Sequence, residues 1–527
     1  MKLVTVAEMQ QVEREANAAG LTYDKMMENA GTNLAIAISN AYAFLDDKSA
    51  LGLVGSGNNG GDTLVALAYL GEKGWRVTAY IVRPRPIDDP LVKRVTQAGG
   101  TIHNVDEGEL TSDFEQLKVL ISNHALLLDG ILGTGIHLPL KPEIETVLRV
   151  TQQYLQGMEN PPYVVAVDCP SGVDCDTGAV APETIPADIT VTMAAVKIGL
   201  LTLPAFGLIG ELQVVEIGNL ESDYDLVAWK SIHRQVATRD WVKSLLPKRP
   251  LDAHKSTFGA AVVVAGSQNY TGATLLSGEA AYRIGAGWVT LAVPESLHSI
   301  LAGQLPEATW ILLPSNEGGI SGEGVPILFA NLERCTALLV GPGFGLKEST
   351  SQFVQRFLME KSQLLPPLVF DADGLKLLAR VPNWHTLLPP LTVLTPHPGE
   401  MSVLTGLSPD EIQKDRLKIA THFSQKWGHV VILKGAFTII AEPGGQVAVI
   451  PVATPALARA GTGDVLAGLV VGLLAQGVPA FPAAVAGAWI HAQAGLTAAE
   501  VMGSTASVLA GDVLNAVINV LSDLENE

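Results

Sequence analysis

Charge is scarce in this sequence, and positive charge is scarcest. Of 527 residues only 17% are Asp, Glu, Lys or Arg, and 34 Lys and Arg stand against 53 Asp and Glu, for a net charge of −19. Such a balance excludes nucleic acid as a main partner. A phosphorylated ligand must then be met by local devices: a helix N-terminus, a lysine or a bound cation. Cysteine is nearly missing as well. Cys169, Cys175 and Cys335 fit no zinc spacing and give no even disulfide count, which points to a reducing, cytoplasmic setting. The first 20 residues carry Glu8, Glu13 and Glu15 and lack the apolar core of a signal peptide. Between Asp464 and Glu500 there is no charge at all, a run long enough to cross a bilayer. Pro479 and Pro482 break it, and Gln476, His491 and Gln493 interrupt it. Two helices buried in a soluble core are therefore expected, with no membrane partner.

Hydrophobic residues make up 48% of the chain, as in a compact globular protein. This length requires more than one core. Both halves alternate strand-like apolar runs with helical patterns, which predicts α/β layering around mainly parallel sheets. Strands are expected at 50–54, 77–82, 125–128, 164–167 and 212–217 in the first half. In the second they are expected at 260–265, 289–293, 337–340, 368–370, 393–394 and 430–433. Several end in Gly or Asp, where open α/β sheets bind ligands. The stretch 221–250 shows no strong apolar strand and holds Trp229, Trp241 and a basic cluster, so the boundary is placed near residue 230. No repeat links the halves, which reads as a fusion of unlike domains.

The densest chemistry lies at Ala460-Gly461-Thr462-Gly463-Asp464, where small residues end in a carboxylate and a long apolar helix pattern begins. Free amides of a first helical turn point at whatever lies in front of them, and without side chains at Gly461 and Gly463 a phosphate approaches closely. Asp464 then stands as a base beside an anion hole, suited to deprotonating a hydroxyl that attacks a phosphoryl group. Taken alone, the same residues describe an N-capping Asp after a loop.

In the first half, Gly55-Ser56-Gly57-Asn58-Asn59-Gly60-Gly61-Asp62 follows a strand and leads into a helix, a phosphate loop by type. Asp129, ahead of Gly130 to Gly135, and Asp168, ahead of Cys169 to Gly172, put acids at two further strand ends. Three Asp-bearing loops on one sheet edge indicate a site rather than three helix caps. These segments, with Met26 to Gly31 and Lys197 to Leu200, resemble the NAD(P)H-hydrate epimerase domain across almost all of residues 1–230. The resemblance implies that Asn58, Asn59, Gly60, Gly61, Asp62, Gly133, Thr134, Gly135, Ile136, His137, Leu138, Pro139 and Asp168 line the hydrated dinucleotide. It also implies that Asn59, Asp129 and Ser171 hold K+. The chemistry implied is inversion at nicotinamide C6, with Asp168 as the acid/base group and Lys197 paired with it or with phosphate. Thr63 stands where the family usually has Gly.

The second half carries further islands in order: His254 to Gly259, Ala265 to Ser267 with Gly272-Ala273, Arg283 to Gly287, Val340 to Gly345, Phe370 to Leu375, Thr395 to Glu400 and Leu433 to Thr438. Singly each is a turn, a loop histidine or a strand end; as an ordered set they resemble the ribokinase-like superfamily and, within it, the nucleotide-dependent NAD(P)H-hydrate dehydratase. The resemblance implies that Ala273, Gly343, His397 and Asp464 contact the hydrate. It places the nucleotide, as Mg2+ with ADP or ATP, against Lys434, Gly435, Ala436, Phe437, Thr438, Gly461, Thr462 and Gly463. ADP is the expected donor. Ser256 replaces a usual Gly, and Pro455 removes an amide from the nucleotide loop. The fold class expected is therefore α/β with two domains: an N-terminal Rossmann-like α/β/α epimerase domain, residues 1–230, and a C-terminal ribokinase-like α/β/α dehydratase domain, residues 231–527. The family's habit implies a homo-oligomer. The alternatives are a ribokinase-like kinase of a hydroxymethyl-pyrimidine or thiazole alcohol, and a dinucleotide-binding protein without catalysis.

Overall fold

Each apolar run followed by a helical pattern becomes a strand and its return helix, as parallel pairing requires. The computed structural model describes residues 1–105, 114–360 and 365–526. It divides into two units, Met1–His233 and Arg234–Glu527.

In the first unit the strands are β1 (Ser49–Val54), β2 (Arg76–Ile81), β3 (Thr101–Asn104), β4 (Leu126–Gly130), β5 (Tyr163–Val167), β6 (Ile189–Met193) and β7 (Glu211–Val215). Their order in the sheet is β3-β2-β1-β4-β5-β6-β7, with every neighbour parallel. Strands β1 and β4 are buried along their whole length, as helices on both faces demand. The order reverses between them, which opens a crevice at their carboxyl ends. Helices α1 (Val6–Ala18) and α2 (Tyr23–Ala41) precede the sheet, and α3 (Asn58–Glu72) leaves directly from the loop after β1. A short parallel pairing of Leu3–Val4 with Val196–Lys197 draws the chain start to the far end of this sheet.

The second unit has β8 (Arg234–Val236), β9 (Ala260–Val264), β10 (Trp288–Pro294), β11 (Thr309–Leu313), β12 (Ala337–Val340), β13 (Leu368–Phe370), β14 (Val393–Leu394), β15 (Val430–Leu433), β16 (Ile439–Ala441) and β17 (Val447–Val449). They lie in the order β8-β17-β16-β15-β14-β13-β12-β9-β10-β11. Only the β15–β16 and β16–β17 pairs are antiparallel. Helix α4 (Gly272–Arg283) follows β9, and α5 (Pro398–Thr405) follows β14. The charge-free run becomes α6 (Thr462–Ala475) and α7 (Ala480–Met502), followed by α8 (Ala510–Asn526). Helix α6, and α7 as far as Gly495, are buried on nearly every side, which is why their sequence shows almost no polar face. The break falls between Ala475 and Ala480. Pro482 does not interrupt α7 but sits in its first turn, where a missing N–H leaves no bond unmade. No helix among the described residues is long and apolar enough to cross a membrane.

Strands β3, β6, β8, β11, β16 and β17 were not anticipated. In β6 the polar Thr190 and Thr192 interrupt the apolar run, yet both are buried and satisfied: Thr190 Oγ1 donates to the Ile209 carbonyl at 2.6 Å, and Thr192 Oγ1 to Asp168 at 2.9 Å. Strand β8 lies inside the stretch expected to be strandless. It has three residues, half buried, and is held by parallel pairing with β17 rather than by its own composition.

Candidate active sites

A cavity of about 510 Å³ opens at the carboxyl ends of β1, β4, β5 and β6, with Met9, Glu13, Tyr23 and Met26 of α1 and α2 on its other side. The loop after β1 folds tightly enough that a Cβ on Gly55 would collide with the Ile131 carbonyl, and one on Gly60 with Gly55. Only glycine permits this packing. The N-terminus of α3 has no side-chain cap, so its first-turn amides are left for a ligand.

Asp168 follows β5 in a left-handed conformation (φ 64°), a strained setting for a non-glycine residue. Its Oδ1 accepts from Lys197 Nζ at 2.5 Å, Thr192 Oγ1 at 2.9 Å and the Met193 amide at 3.0 Å. Burial pushes its carboxyl up, but the Lys197 charge and these hydrogen bonds outweigh it and hold Asp168 below the usual carboxylate range. Asp62 goes the other way. Burial, with Asp168 and Glu13 nearby, lifts it well above its ordinary value, and burial raises Glu13 too. One cavity thus holds a carboxyl whose pKa is pulled down beside two whose pKa values are pushed up.

Beneath the loop lies a second polar cluster. Asn59 Nδ2 donates to the Leu132 carbonyl at 2.8 Å, and the Leu132 amide donates to Ser171 Oγ at 2.9 Å. Ser171 donates to Asp129 through Oγ at 2.5 Å and through its amide at 2.7 Å. Burial raises the Asp129 carboxyl to about 6 against those bonds. Asn59 Oδ1 is buried with no partner.

The second unit has its own cavity, about 530 Å³, between the loops after β13, β14 and β15 and the N-terminus of α6. Gly461 caps α6 at φ 94°, with no side-chain cap, so the first-turn amides again face a cavity. Burial, with Asp371 nearby, pushes the Asp464 carboxyl up to about 7 against the pull of Lys434. Lys434 Nζ reaches Asp371 Oδ1 at 2.8 Å and Glu400 Oε2 at 3.6 Å. Burial lowers its pKa, and these acids overcome that and hold it above its ordinary value. Thr395 Oγ1 also donates to Asp371 Oδ1, at 2.5 Å, while Asp371 Oδ2 is buried without a partner. His397 caps α5, its Nδ1 accepting from the Gly399 and Glu400 amides at 3.0 and 3.3 Å. His491 of α7 lines the cavity with Nε2 unpartnered, and burial pulls it down to about 4, leaving it neutral.

A family model described as NAD(P)H-hydrate dehydratase matches residues 261–519, and one described as YjeF-related protein N-terminus matches residues 23–199. The bifunctional NAD(P)H-hydrate repair enzyme of Moorella thermoacetica is 36% identical, over 100% of this chain and 98% of that one. This chain belongs to the bifunctional NAD(P)H-hydrate repair enzyme family. The family member from Escherichia coli is 31% identical, with 97% of this chain and 92% of that protein covered. Among solved structures, the ADP/ATP-dependent NAD(P)H-hydrate dehydratase from Bacillus subtilis, co-crystallized with ATP/Mg2+, is 30% identical. It covers 55% of this chain and 98% of its own, with a TM-score of 0.46.

Of the residues that resemblance to this repair family marks in the first half, Asn58, Asn59, Asp62, Gly133, Thr134, Gly135 and Asp168 line the first cavity. Gly60 and Gly61 pack behind the loop, against Gly55 and the Met27 sulfur, and Ile136, His137, Leu138 and Pro139 lie outside the lining. In the second unit His397, Lys434, Gly435, Ala436, Thr438, Gly461, Thr462, Gly463 and Asp464 share one cavity. Phe437 is buried away from that lining. Ala273 and Gly343 pack on each other outside it. Four residues without an expected role complete the sites: Glu13, Asp371, Glu400 and His491. Asp371 had a signal, since like Asp129 and Asp168 it terminates an apolar strand. Glu13 and His491 had none, because only the packing of α1 and α7 brings them to a cavity.

Proposed function

We propose that residues 1–230 epimerise the R and S forms of NAD(P)H hydrate in the first cavity, and that residues 231–527 dehydrate the S form in the second at the expense of ADP. The first cavity pairs Asp168, fixed by Lys197 and shifted toward its ionised form, with Asp62 and Glu13, which burial shifts toward their protonated forms. At C6 of the hydrate a hydroxyl sits beside the ring nitrogen, whose lone pair helps expel it. A protonated carboxyl supplies the proton that lets it leave as water, and Asp168 takes a proton from the water that re-adds. The unpartnered Asn59 Oδ1, with Asp129 and Ser171, fits K+, an ion content with weakly charged oxygen ligands. K+ would supply fixed positive charge beneath the phosphate loop.

In the second cavity Asp464 takes the C6 hydroxyl proton as that oxygen attacks the terminal phosphoryl group of the nucleotide. The bond to the departing nucleotide breaks, and the amides of the α6 first turn stabilise the charge on the transferred group. The ring nitrogen then expels phosphate, a C5 proton leaves, and the C5–C6 double bond of NAD(P)H returns. Mg2+ fits here as the nucleotide's companion. Asp371 Oδ2, buried and bare, would hold it, and no group of three acids or histidines among the described residues forms a cage that dispenses with the nucleotide's own oxygens. The ion supplies charge neutralisation on the phosphates. A cytoplasmic homo-oligomer suits the three unpaired cysteines and the exposed Val501, Leu509 and Ile518.

What carries this reading is Asp464: a carboxyl poised near neutrality at an uncapped helix N-terminus inside a cavity. The test is phosphorus NMR of the full chain with S-NADH hydrate, ADP and Mg2+. One inorganic phosphate and one AMP should appear per NADH restored. A stable phosphorylated hydrate, or ADP left unused while NADH returns, contradicts it.

A further inference from the structure

Arg83 stands two residues past the end of β2, the strand beside β1, and lines the first cavity. Asp168 lines the same cavity from the end of β5. The order β2-β1-β4-β5 separates those two strand ends by three spacings, roughly 14 Å. Between them lies the glycine-rich loop with the uncapped N-terminus of α3. In a doubly wound sheet a dinucleotide lies across the strand ends. Its pyrophosphate rests on the helix after the first strand, and its adenosine ribose reaches the end of the next strand, where an acid reads the 2′-hydroxyl or an arginine the 2′-phosphate. With the nicotinamide at Asp168 and the pyrophosphate at α3, that ribose falls at Arg83.

We propose that Arg83 binds the 2′-phosphate of NADPH hydrate and gives the first cavity a preference for it over NADH hydrate. This rests on the epimerase reading above. Arg83 and Lys197 are the basic residues lining the cavity. Lys197 is spent on Asp168, Thr192 and the Met193 carbonyl. Arg83 donates through Nη2 to Glu143 at 2.9 Å, its one bond among the described residues, so Nε and Nη1 remain for a ligand. That pair is solvent-exposed on the Glu143 side and weak enough to be shared. Arg85, two residues on, is committed differently. It bonds Asp89 at 2.7 Å and the Gly55 carbonyl at 2.9 Å, which ties the segment to the phosphate loop and sets Arg83 beside it. The acids of this segment are already engaged, Asp89 with Arg85 and Asp88 with Lys93 at 2.7 Å, so neither is set to take a 2′-hydroxyl.

The test measures epimerisation of R-NADPH hydrate and R-NADH hydrate by the full chain, followed as recovery through its own dehydratase with excess nucleotide. The parent should favour NADPH hydrate. Arg83→Gln should raise KM for NADPH hydrate about tenfold or more, as expected for losing a charge-assisted bond to phosphate, and leave kcat and the NADH hydrate unaffected. Glu143→Gln should keep the preference, which separates the guanidinium from its ion pair. An equal loss on both substrates places Arg83 on the pyrophosphate and overturns the proposal, as does no change on either. A parent active on both hydrates without preference also overturns it and leaves the epimerase reading standing; a parent that epimerises neither removes both.

Discussion

Asp168 and Asp464 are both half-buried aspartates lining a cavity, and their surroundings push them in opposite directions. Lys197 and three hydrogen bonds keep Asp168 ionised, while burial near Asp371 holds Asp464 at about 7. The dehydratase rate below pH 7 should therefore climb about tenfold per pH unit and level off above it, as a base that must lose its proton requires. Asp464→Asn should cost about a hundredfold or more in that rate. It should also stabilise the protein. The folded carboxyl keeps its proton up to about 7, whereas its ordinary value is 3.8, so the folded chain binds more protons between those values and loses stability as pH rises through them. Melting curves should show Asp464→Asn raising Tm at pH 8, with the gain shrinking toward pH 4. An unchanged Tm at pH 8 would contradict the burial account. In the first cavity Asn matches Asp62 in shape but carries no acidic proton, so Asp62→Asn should fold normally yet slow epimerisation about a hundredfold. Wild-type rates in that variant would remove Asp62 as the proton source.

At the scale of elements, the same device serves twice: a glycine-rich turn, an uncapped helix start and an acid at a neighbouring strand end. Gly461 holds a left-handed conformation at the start of α6. Gly461→Ala should destabilise the second unit by about 1–2 kcal/mol, the cost of that conformation for an L-residue, and raise KM for the nucleotide. Urea unfolding with parallel kinetics tests both; a neutral substitution would mean the turn is not held as described. This device was legible in sequence because glycine and aspartate at strand ends have few other uses. Other elements were not. Strand β6 hid behind Thr190 and Thr192, whose hydroxyls find partners only in the fold. Strands β16 and β17 have three residues each, too short for a periodicity. Glu13 belongs to the site only because Leu3–Val4 pairs with Val196–Lys197 and brings α1 to the cavity.

Across the whole molecule, two doubly wound sheets each carry a cavity at their own reversal or strand-end edge, and each cavity draws its lining from one unit alone. That the chain is two α/β bodies was readable from alternating apolar runs and from motifs that did not repeat. The chain divides between His233 and Arg234 because β8 joins the second sheet through β17, a pairing more than two hundred residues distant in sequence. With separate linings, the two chemistries need share nothing but a diffusing hydrate. The most direct measurement is absorbance recovery of NADH from a mixture of R and S hydrates, supplied with ADP, Mg2+ and K+. It compares the parent, Asp168→Asn, Asp464→Asn and an equal mixture of the two variants. Asp168→Asn should restore the S form at the parent's rate and lag only on the R form, Asp464→Asn should restore neither, and the mixture should recover both phases. Failure of the mixture to restore the fast R phase, or recovery by Asp464→Asn alone, would contradict the account of two independent sites.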